Sequence, residues 1–138
     1  PEHLQFMRDR IQPRLGRDRR WIGPVAGRAK ERLLAQAACV ILPSKAPETS
    51  SLVAMEALAA GTPVVAYRAG ALPEIIEHGR TGLLVEMGDV EGLARAMREA
   101  ARIDPAICRE VARERFSLDR MIDSYMAHYG EIARRHAA

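Results

Sequence analysis

Several residue types and patterns are scarce in this chain of 138 residues, and each scarcity removes a class of protein. The only cysteines, Cys39 and Cys108, show no CxxC spacing, so we expect reduced thiols rather than disulfides or a zinc site. No apolar run of about 18 residues occurs, so no transmembrane helix is expected. No signal-peptide pattern is visible at the first residues, and we expect a cytoplasmic location.

The chain also lacks a large excess of charge of one sign, because its formal net charge is only +3. That balance is too weak to predict nucleic-acid binding. Apolar residues make up 48% of the chain and charged residues 28%, close to the averages of soluble domains. We therefore expect a single domain over residues 1–138. Because the chain begins with Pro1 rather than Met, we also expect it to be a piece of a longer protein.

Short apolar runs alternate along the chain with segments of helical periodicity. Val40–Leu42, Pro63–Tyr67 and Leu83–Val85 are continuous apolar runs, which predict strands buried on both faces. Arg20–Ile22 forms a short extended run before them. The pattern predicts an α/β fold: a Rossmann-like parallel sheet with helices on both faces and a helical C-terminal tail. The predicted helices cover residues 2–12, 28–37, 51–60, 72–77, 90–102, 105–115 and 118–135.

The segment between the first of these strands and the next helix is a candidate anion site. The strand ends before Pro43, and the helix opens about eight residues later. In parallel α/β sheets ligands lie beyond the carboxyl ends of the strands, where the free N–H groups and the dipole of a helix start attract phosphate. The hydroxyls of Thr49, Ser50 and Ser51 are equally suited to capping the helix without any ligand. The residues alone leave both alternatives open.

Two carboxylates flank this predicted helix start. Glu48 precedes it and Glu56 follows eight residues later, a separation of about 12 Å if the whole interval were helical. That distance is too long for one metal ion or for a close acid/base pair. It suits the two ends of an extended ligand such as a nucleoside diphosphate sugar, whose hydroxyls donate to carboxylates. Apolar neighbours share the helix face of Glu56, so we do not expect a purely solvated side chain.

These features resemble the donor-binding half of retaining glycosyltransferases of the GT-B fold, in the large group called family 4 or group 1. Several motifs in the same order carry the resemblance, which extends over roughly residues 15–130. An E-x7-E pair alone would be weak evidence for this resemblance. The matching segments are the pair Glu48 and Glu56, then EALAAGTPVVA at 56–66, GALPE at 70–74 and GRTGLLV at 79–85, with WIGPV at 21–25 upstream.

The resemblance implies a C-terminal nucleotide-sugar-binding domain and assigns roles to individual residues. Glu48 is the candidate catalytic residue, contacting hydroxyls of the transferred sugar, and Glu56 would bind the ribose hydroxyls. No metal and no cofactor are implied beyond the nucleoside diphosphate sugar, which is the donor substrate. Backbone groups supply the other donor contacts: Thr49, Ser50 and Ser51 towards the sugar, Leu52 and Val53 towards the phosphates or ribose, and Gly23 and Val25 towards the base.

The chain also departs from the family pattern. Residues 49–51 read TSS where many members read GFG. The family's first strand carries an Arg and a Lys that neutralise the diphosphate, and the only lysines here, Lys30 and Lys45, lie elsewhere. The acceptor-binding domain of a GT-B enzyme is missing as well. We therefore expect a domain truncated at its N-terminal side, which binds donor weakly and transfers no sugar by itself.

The implied partners are the nucleotide-sugar donor and the missing N-terminal acceptor domain. Truncation would uncover a sheet edge or an apolar face and so favour dimerisation, and the parent protein is a candidate for peripheral membrane association. The alternative is a stand-alone nucleotide-binding or protein-interaction module without catalysis. A dehydrogenase is not favoured, because no G-x-G-x-x-G follows a strand. His78, in a turn near these motifs, is the one histidine singled out for testing.

Overall fold

In the computed structural model, which describes residues 2–47 and 49–136, the chain divides into two units, Pro1–Lys30 and Glu31–Ala138. The helix at Gly27–Gln36 begins in the first unit and ends in the second. The second unit contains the sheet and the remaining helices. In chain order the elements are α2 (Gly27–Gln36), β1 (Val40–Leu42), α3 (Leu52–Ala60), β2 (Val64–Tyr67), α4 (Leu72–Ile75), β3 (Gly82–Val85), α5 (Val90–Ala100), α6 (Pro105–Phe116) and α7 (Leu118–His136).

The prediction of one continuous helix over residues 2–12 is wrong in its geometry. Helix α1 covers Glu2–Phe6, a π-helical turn follows at Met7–Ile11, and a 3₁₀ turn at Gln12–Arg14 ends the segment. Pro13 accounts for the change, because it has no N–H and its ring crowds the carbonyl four residues earlier. The preceding turn widens instead of continuing as an α-helix.

The extended run predicted at Arg20–Ile22 does not form a strand. Residues 20–26 have no regular secondary structure, and the side chains of Trp21 and Ile22 are largely exposed. An extended segment becomes a strand only when a neighbouring strand takes up its N–H and C=O groups. Within the described part of the first unit, the ladder pairing is a single antiparallel bridge between Gly16 and Arg19.

The predicted parallel sheet is confirmed. Its strands run in the order β1-β2-β3 and all pair in parallel. Val64 of β2 lies opposite Val40 of β1 and Gly82 of β3. All four residues of β2 are buried, whereas those of β1 are half-buried. The central strand therefore has the two-sided burial that its continuous apolar run predicts.

Side chains on the two faces of β2 reach two different sets of helices. Val64 and Ala66 pack in a core with residues of α3, α4 and α6, and Val65 points to the other face. There it packs with Ala96 and Ala100 of α5. The sheet is covered on both sides, as the sequence predicts, and helices α6 and α7 form the predicted C-terminal tail. No helix within residues 2–47 and 49–136 is long and apolar enough to cross a membrane.

Two glycines allow the close approaches that hold α3 and the sheet together. Gly61 ends α3 in the left-handed region, with φ of +87°, and its N–H bonds to the carbonyl of Leu58. Gly82 lies where β3 passes β2, and a Cβ atom there would overlap the carbonyl oxygen of Val64. Gly82 is therefore required by space rather than by its backbone angles.

We expect Gly82→Ala to destabilise the fold by about 1–3 kcal/mol, because the added methyl group overpacks the β2–β3 contact. Gly16→Ala is the matched control, since neither glycine has a positive φ and a Cβ at Gly16 meets nothing within 4 Å. Urea unfolding followed by circular dichroism measures the difference. Equal midpoints for the two variants would contradict this packing.

Candidate functional site

The start of α3 lies at the edge of the sheet where the strands end. All three strands are parallel, so Leu42, Tyr67 and Val85 close the same edge. The chain leaves β1 at Leu42 and enters α3 at Leu52. The loop between them contains Lys45, the one lysine that the second unit carries. This is the position at which ligands bind in open α/β sheets.

The first turn of α3 has no side-chain cap. Ser51 occupies the N-cap position with extended backbone angles, φ −127° and ψ 90°, and its hydroxyl makes no capping hydrogen bond. The first bond of the helix runs from the N–H of Met55 to the carbonyl of Ser51, at 3.1 Å. The amides of Leu52, Val53 and Ala54 therefore donate to no described acceptor. The sequence left open that the hydroxyls of Thr49, Ser50 and Ser51 simply cap this helix. For Ser51 that alternative is wrong.

Two later helices of the same unit begin differently. Asp89 caps α5 by accepting a 2.8 Å bond from the N–H of Gly92, and Asp104 caps α6 by accepting a 2.8 Å bond from Ala106. Each carboxylate also compensates the positive end of its helix dipole. The first turn of α3 contains no acidic residue. Among these helices, α3 is the one whose start is left open to an anion.

The predicted donor-site residues around α3 differ in their exposure. Ser51 is buried, while Leu52 and Val53 are 70% and 48% exposed although both are apolar. Glu56 is half-buried in the second turn of the helix, as expected from its apolar neighbours. Glu48 lies outside the described residues. Because α3 begins at Leu52, the interval between the two glutamates is not wholly helical, and the 12 Å estimate does not apply.

Gly23 and Val25, the residues expected near the nucleotide base, belong to the first unit. Both are half-buried, and Gly23 adopts a positive φ of 69°. A positive φ is a conformation that glycine adopts readily and other residues avoid. Their contact with a nucleotide stays a prediction.

His78 lies away from the start of α3. It forms a bridge with Gly82, the first residue of β3, and so stands at the amino end of the sheet. Its Nδ1 atom accepts a 3.0 Å hydrogen bond from the N–H of Leu84. The ring thereby satisfies a backbone donor on a strand at the edge of this three-stranded sheet. We assign His78 a structural role.

A cavity of about 350 Å³ lies beside the first turn of α3. Two arginines reach it, and sequence reasoning singled out neither of them. Arg115 is already held by other groups, whereas Arg120 makes no ion pair with any described residue. No sequence pattern near α3 indicates these two arginines, because both follow α3 by some sixty residues. The lining residues are Ser50, Leu52, Met55, Arg115, Phe116, Ser117, Arg120, Met121, Ser124 and Tyr125.

An ionic cluster fixes Arg115 at this cavity. Glu77 accepts hydrogen bonds from Arg80 at 2.6 Å and from Arg115 at 3.0 Å. Arg115 also donates to the backbone carbonyl of Glu74 and stacks over the ring of Phe116. The hydrogen bond from Arg80 is the main reason that the pKa of Glu77 lies below its usual range, with Arg115 adding to it and burial opposing it. The cluster joins the end of α4 to α6.

The pKa of Glu77 is lower in the folded state than in the unfolded state. The stabilisation from this cluster is therefore fully present above about pH 4.3, the ordinary pKa of Glu. It is lost as the pH falls through the lower pKa of the folded state. We expect Glu77→Gln to lower the melting temperature at pH 7 and to flatten its decline on acidification. Glu110→Gln, an exposed glutamate on α6, is the control. Thermal melts between pH 7 and pH 3 measure both, and parallel curves for the two variants would exclude this role.

Within residues 2–47 and 49–136 no three His, Cys, Asp or Glu side chains are grouped to hold a metal ion. Independence of a metal stays a prediction. Both cysteines are free thiols, and burial raises the pKa of each. Cys108 is fully buried against the carbonyl of Thr81, which fits a packing role.

Comparison with known proteins assigns the chain to a family. The model of a family described as glycosyl transferases group 1 matches residues 2–102. The chain belongs to the group 1 glycosyltransferases. The matched region includes the open start of α3 and every predicted site residue from Gly23 to Glu56. Helices α6 and α7 follow the match.

Curated relatives agree with this assignment. The chain is 35% identical over 108 residues to N-acetyl-alpha-D-glucosaminyl L-malate synthase of Bacillus anthracis, covering 74% of the chain and 28% of the relative. It is 44% identical over 78 residues to D-inositol 3-phosphate glycosyltransferase of Streptomyces avermitilis, covering 56% and 17%. The chain thus spans less than a third of the length of these two relatives.

Solved structures show the same fold. HepE of Anabaena, crystallised in complex with UDP and with UDP-glucose, superposes with a TM-score of 0.75 at 26% identity. The superposition covers 94% of this chain and 36% of that protein. The α/β fold predicted from the sequence, and its assignment to a glycosyltransferase domain, are confirmed.

Proposed function

We propose that this chain is the nucleotide-sugar donor-binding domain of a retaining glycosyltransferase, and that the donor diphosphate binds at the start of α3. The observation that carries the proposal is that the amides of Leu52, Val53 and Ala54, at the carboxyl edge of the sheet, have no acceptor among the described residues. The family supports it, as do the UDP and UDP-glucose in the crystals of HepE. An anion would satisfy these donors and the helix dipole together.

We assign the remaining parts of the donor to the residues that the family resemblance names. Glu56 would accept hydrogen bonds from the ribose hydroxyls, and Glu48 from hydroxyls of the transferred sugar. The backbone at Thr49, Ser50 and Ser51 would line that sugar. The base would meet Gly23 and Val25. The donor would also cover Leu52 and Val53, apolar side chains that are otherwise exposed.

The same geometry suits catalysis of the bond cleavage. When the glycosidic bond to the diphosphate breaks, negative charge grows on the leaving group. Fixed N–H groups already aimed at that position stabilise the charge without reorganising. In the parent protein a second domain would bind the sugar acceptor, a hydroxyl compound; the greater length of the curated relatives leaves room for such a domain. We expect the 138-residue chain alone to bind donor weakly and to transfer no sugar.

We also propose a cytoplasmic location for this domain. Both cysteines are free, although a protein folded in an oxidising compartment tends to pair them. Peripheral membrane association of the parent protein stays a prediction.

Removing one helix-start amide tests the diphosphate site directly. Leu52→Pro deletes the N–H of the first helical residue, a position where proline is tolerated, and the extended backbone of Ser51 suits a residue before proline. A hydrogen bond to a charged group contributes about 1.5–3 kcal/mol, so we expect UDP to bind roughly 10- to 100-fold more weakly. Isothermal titration with UDP measures this change.

Leu52→Ala is the matched control, because it removes the same side chain and keeps the N–H. Uridine, which lacks phosphates, should bind both variants alike. If Leu52→Pro and Leu52→Ala bind UDP equally well, the diphosphate does not lie at this helix start.

Glu56→Ala tests the ribose contact. We expect its affinity for UDP and GDP to fall about tenfold or more, because the ribose hydroxyls lose a charged acceptor. Glu99→Ala, on α5, serves as the control. Isothermal titration should show a loss for UDP that largely disappears for 2′,3′-dideoxy-UDP. Unchanged UDP binding by Glu56→Ala would contradict the assignment.

A further inference from the structure

The corner between α6 and α7 borders the same cavity as the start of α3. Three residues form it, Arg115, Phe116 and Ser117, and we call them the α6–α7 corner. All three line the cavity of about 350 Å³ together with Ser50 and Leu52, which lie at the helix start. The donor site proposed at α3 therefore has this corner as one of its neighbours.

The segment that leads into α3 makes few bonds of its own. In its described residues, 43–47 and 49–50, one hydrogen bond occurs, from the hydroxyl of Ser44 to the carbonyl of Ala46 at 3.3 Å. Ser51 then starts the helix without a side-chain cap. A segment with so few internal bonds has low local stability. Its position therefore depends on the groups that pack beside it.

Arg115 ties the α6–α7 corner to the segment that follows β2. Its Nη1 atom donates a 3.0 Å hydrogen bond to the carboxylate of Glu77, and its Nη2 atom donates to the backbone carbonyl of Glu74. That carbonyl lies in the last turn of α4, where carbonyl groups have no helical partner. The planar guanidinium presents its donors in a fixed fork, so one side chain holds both acceptors.

Glu77 is itself fixed to the sheet through its backbone. Its N–H donates a 3.0 Å hydrogen bond to the hydroxyl of Thr81, a fully buried residue. The carbonyl of Thr81 accepts a 3.2 Å bond from the N–H of Val64, the first residue of β2. A connected set of hydrogen bonds therefore runs from the central strand through Glu77 to Arg115 and the α6–α7 corner.

We propose that Arg115 is a positioning residue of the donor site. It fixes the α6–α7 corner, and the corner in turn holds the segment before α3 and the helix start in the arrangement that binds donor. This inference rests on the proposed function of α3. Arg115 acts without touching the donor, since its guanidinium is engaged by Glu74 and Glu77. Fixing a binding segment in advance removes the free-energy cost of ordering it when the ligand binds.

Arg115→Ala and Arg80→Ala form a matched pair, because each removes one of the two arginines that bond the carboxylate of Glu77. Arg80 does not line the cavity beside α3. We expect the affinity for UDP-glucose to fall about tenfold in Arg115→Ala and to stay within about twofold in Arg80→Ala. Isothermal titration measures both affinities.

Both variants should fold, because Glu77 keeps one arginine in each of them, and circular dichroism checks this at the temperature of the titration. Arg115→Gln is a second variant, which keeps an N–H donor for the carbonyl of Glu74. Its affinity for UDP-glucose should lie between those of the unmodified chain and Arg115→Ala.

The ¹H–¹⁵N spectrum of the chain without ligand gives a readout that does not require donor binding. Arg115→Ala should shift the amide resonances from Ser50 to Ala54 and speed hydrogen exchange at Met55, whose N–H makes the first bond of α3. Arg80→Ala should leave these amides in place.

The outcomes separate this inference from the proposed function. If the unmodified chain binds no UDP-glucose, the proposed function fails, and the positioning role fails with it. If the chain binds UDP-glucose and Arg115→Ala binds it as well as Arg80→Ala does, only the positioning role of Arg115 is overturned. A loss of affinity in Arg115→Ala with no change from Ser50 to Met55 also overturns it, because Arg115 would then contact the donor directly.

Discussion

The open start of α3 is the constraint on which the rest of the site depends. Three amides at Leu52, Val53 and Ala54 have no described acceptor, although the segment before them contains three hydroxyl residues. The chain caps α5 and α6 with aspartates in the ordinary way. At α3 it forgoes the roughly 1 kcal/mol that a cap contributes. A helix start that costs stability at the ligand edge of the sheet supports the proposal that an anion binds there.

The surrounding structure holds α3 firmly enough for that open end to be usable. Ala54, Ala57 and Leu58 are fully buried against the sheet and α6, and Gly61 closes the helix with a left-handed turn. Thr62 then ties the end of α3 to the carbonyl of Leu34 in α2. Small residues at these positions let the helix approach the sheet closely, so the amides of its first turn are fixed in place. Preorganised donors of this kind stabilise a leaving group most effectively.

Much of the fold was predictable, because short continuous apolar runs such as β1, β2 and β3, alternating with helical segments, are typical of a parallel sheet covered on both faces. The boundaries of α3 also followed from local chemistry, since the predicted helix 51–60 differs by one residue from the observed one. The predictions that failed depend on residues far apart in the sequence. Arg20–Ile22 pairs with no described strand and so forms none. His78 lies at the amino end of the sheet, away from the start of α3. The sequence could not predict that Glu77 holds Arg115 in place, because the two residues are 38 positions apart.

The most direct test of the central claim is the ¹H–¹⁵N spectrum of the chain titrated with UDP. We predict that the amide resonances of Leu52, Val53 and Ala54 shift most, because the diphosphate would accept hydrogen bonds from them. The amides of Gly92 and Ala106, which are capped by aspartates, should stay in place. Large shifts at these capped helix starts, or saturable binding that leaves Leu52 to Ala54 unmoved, would contradict a donor site at α3.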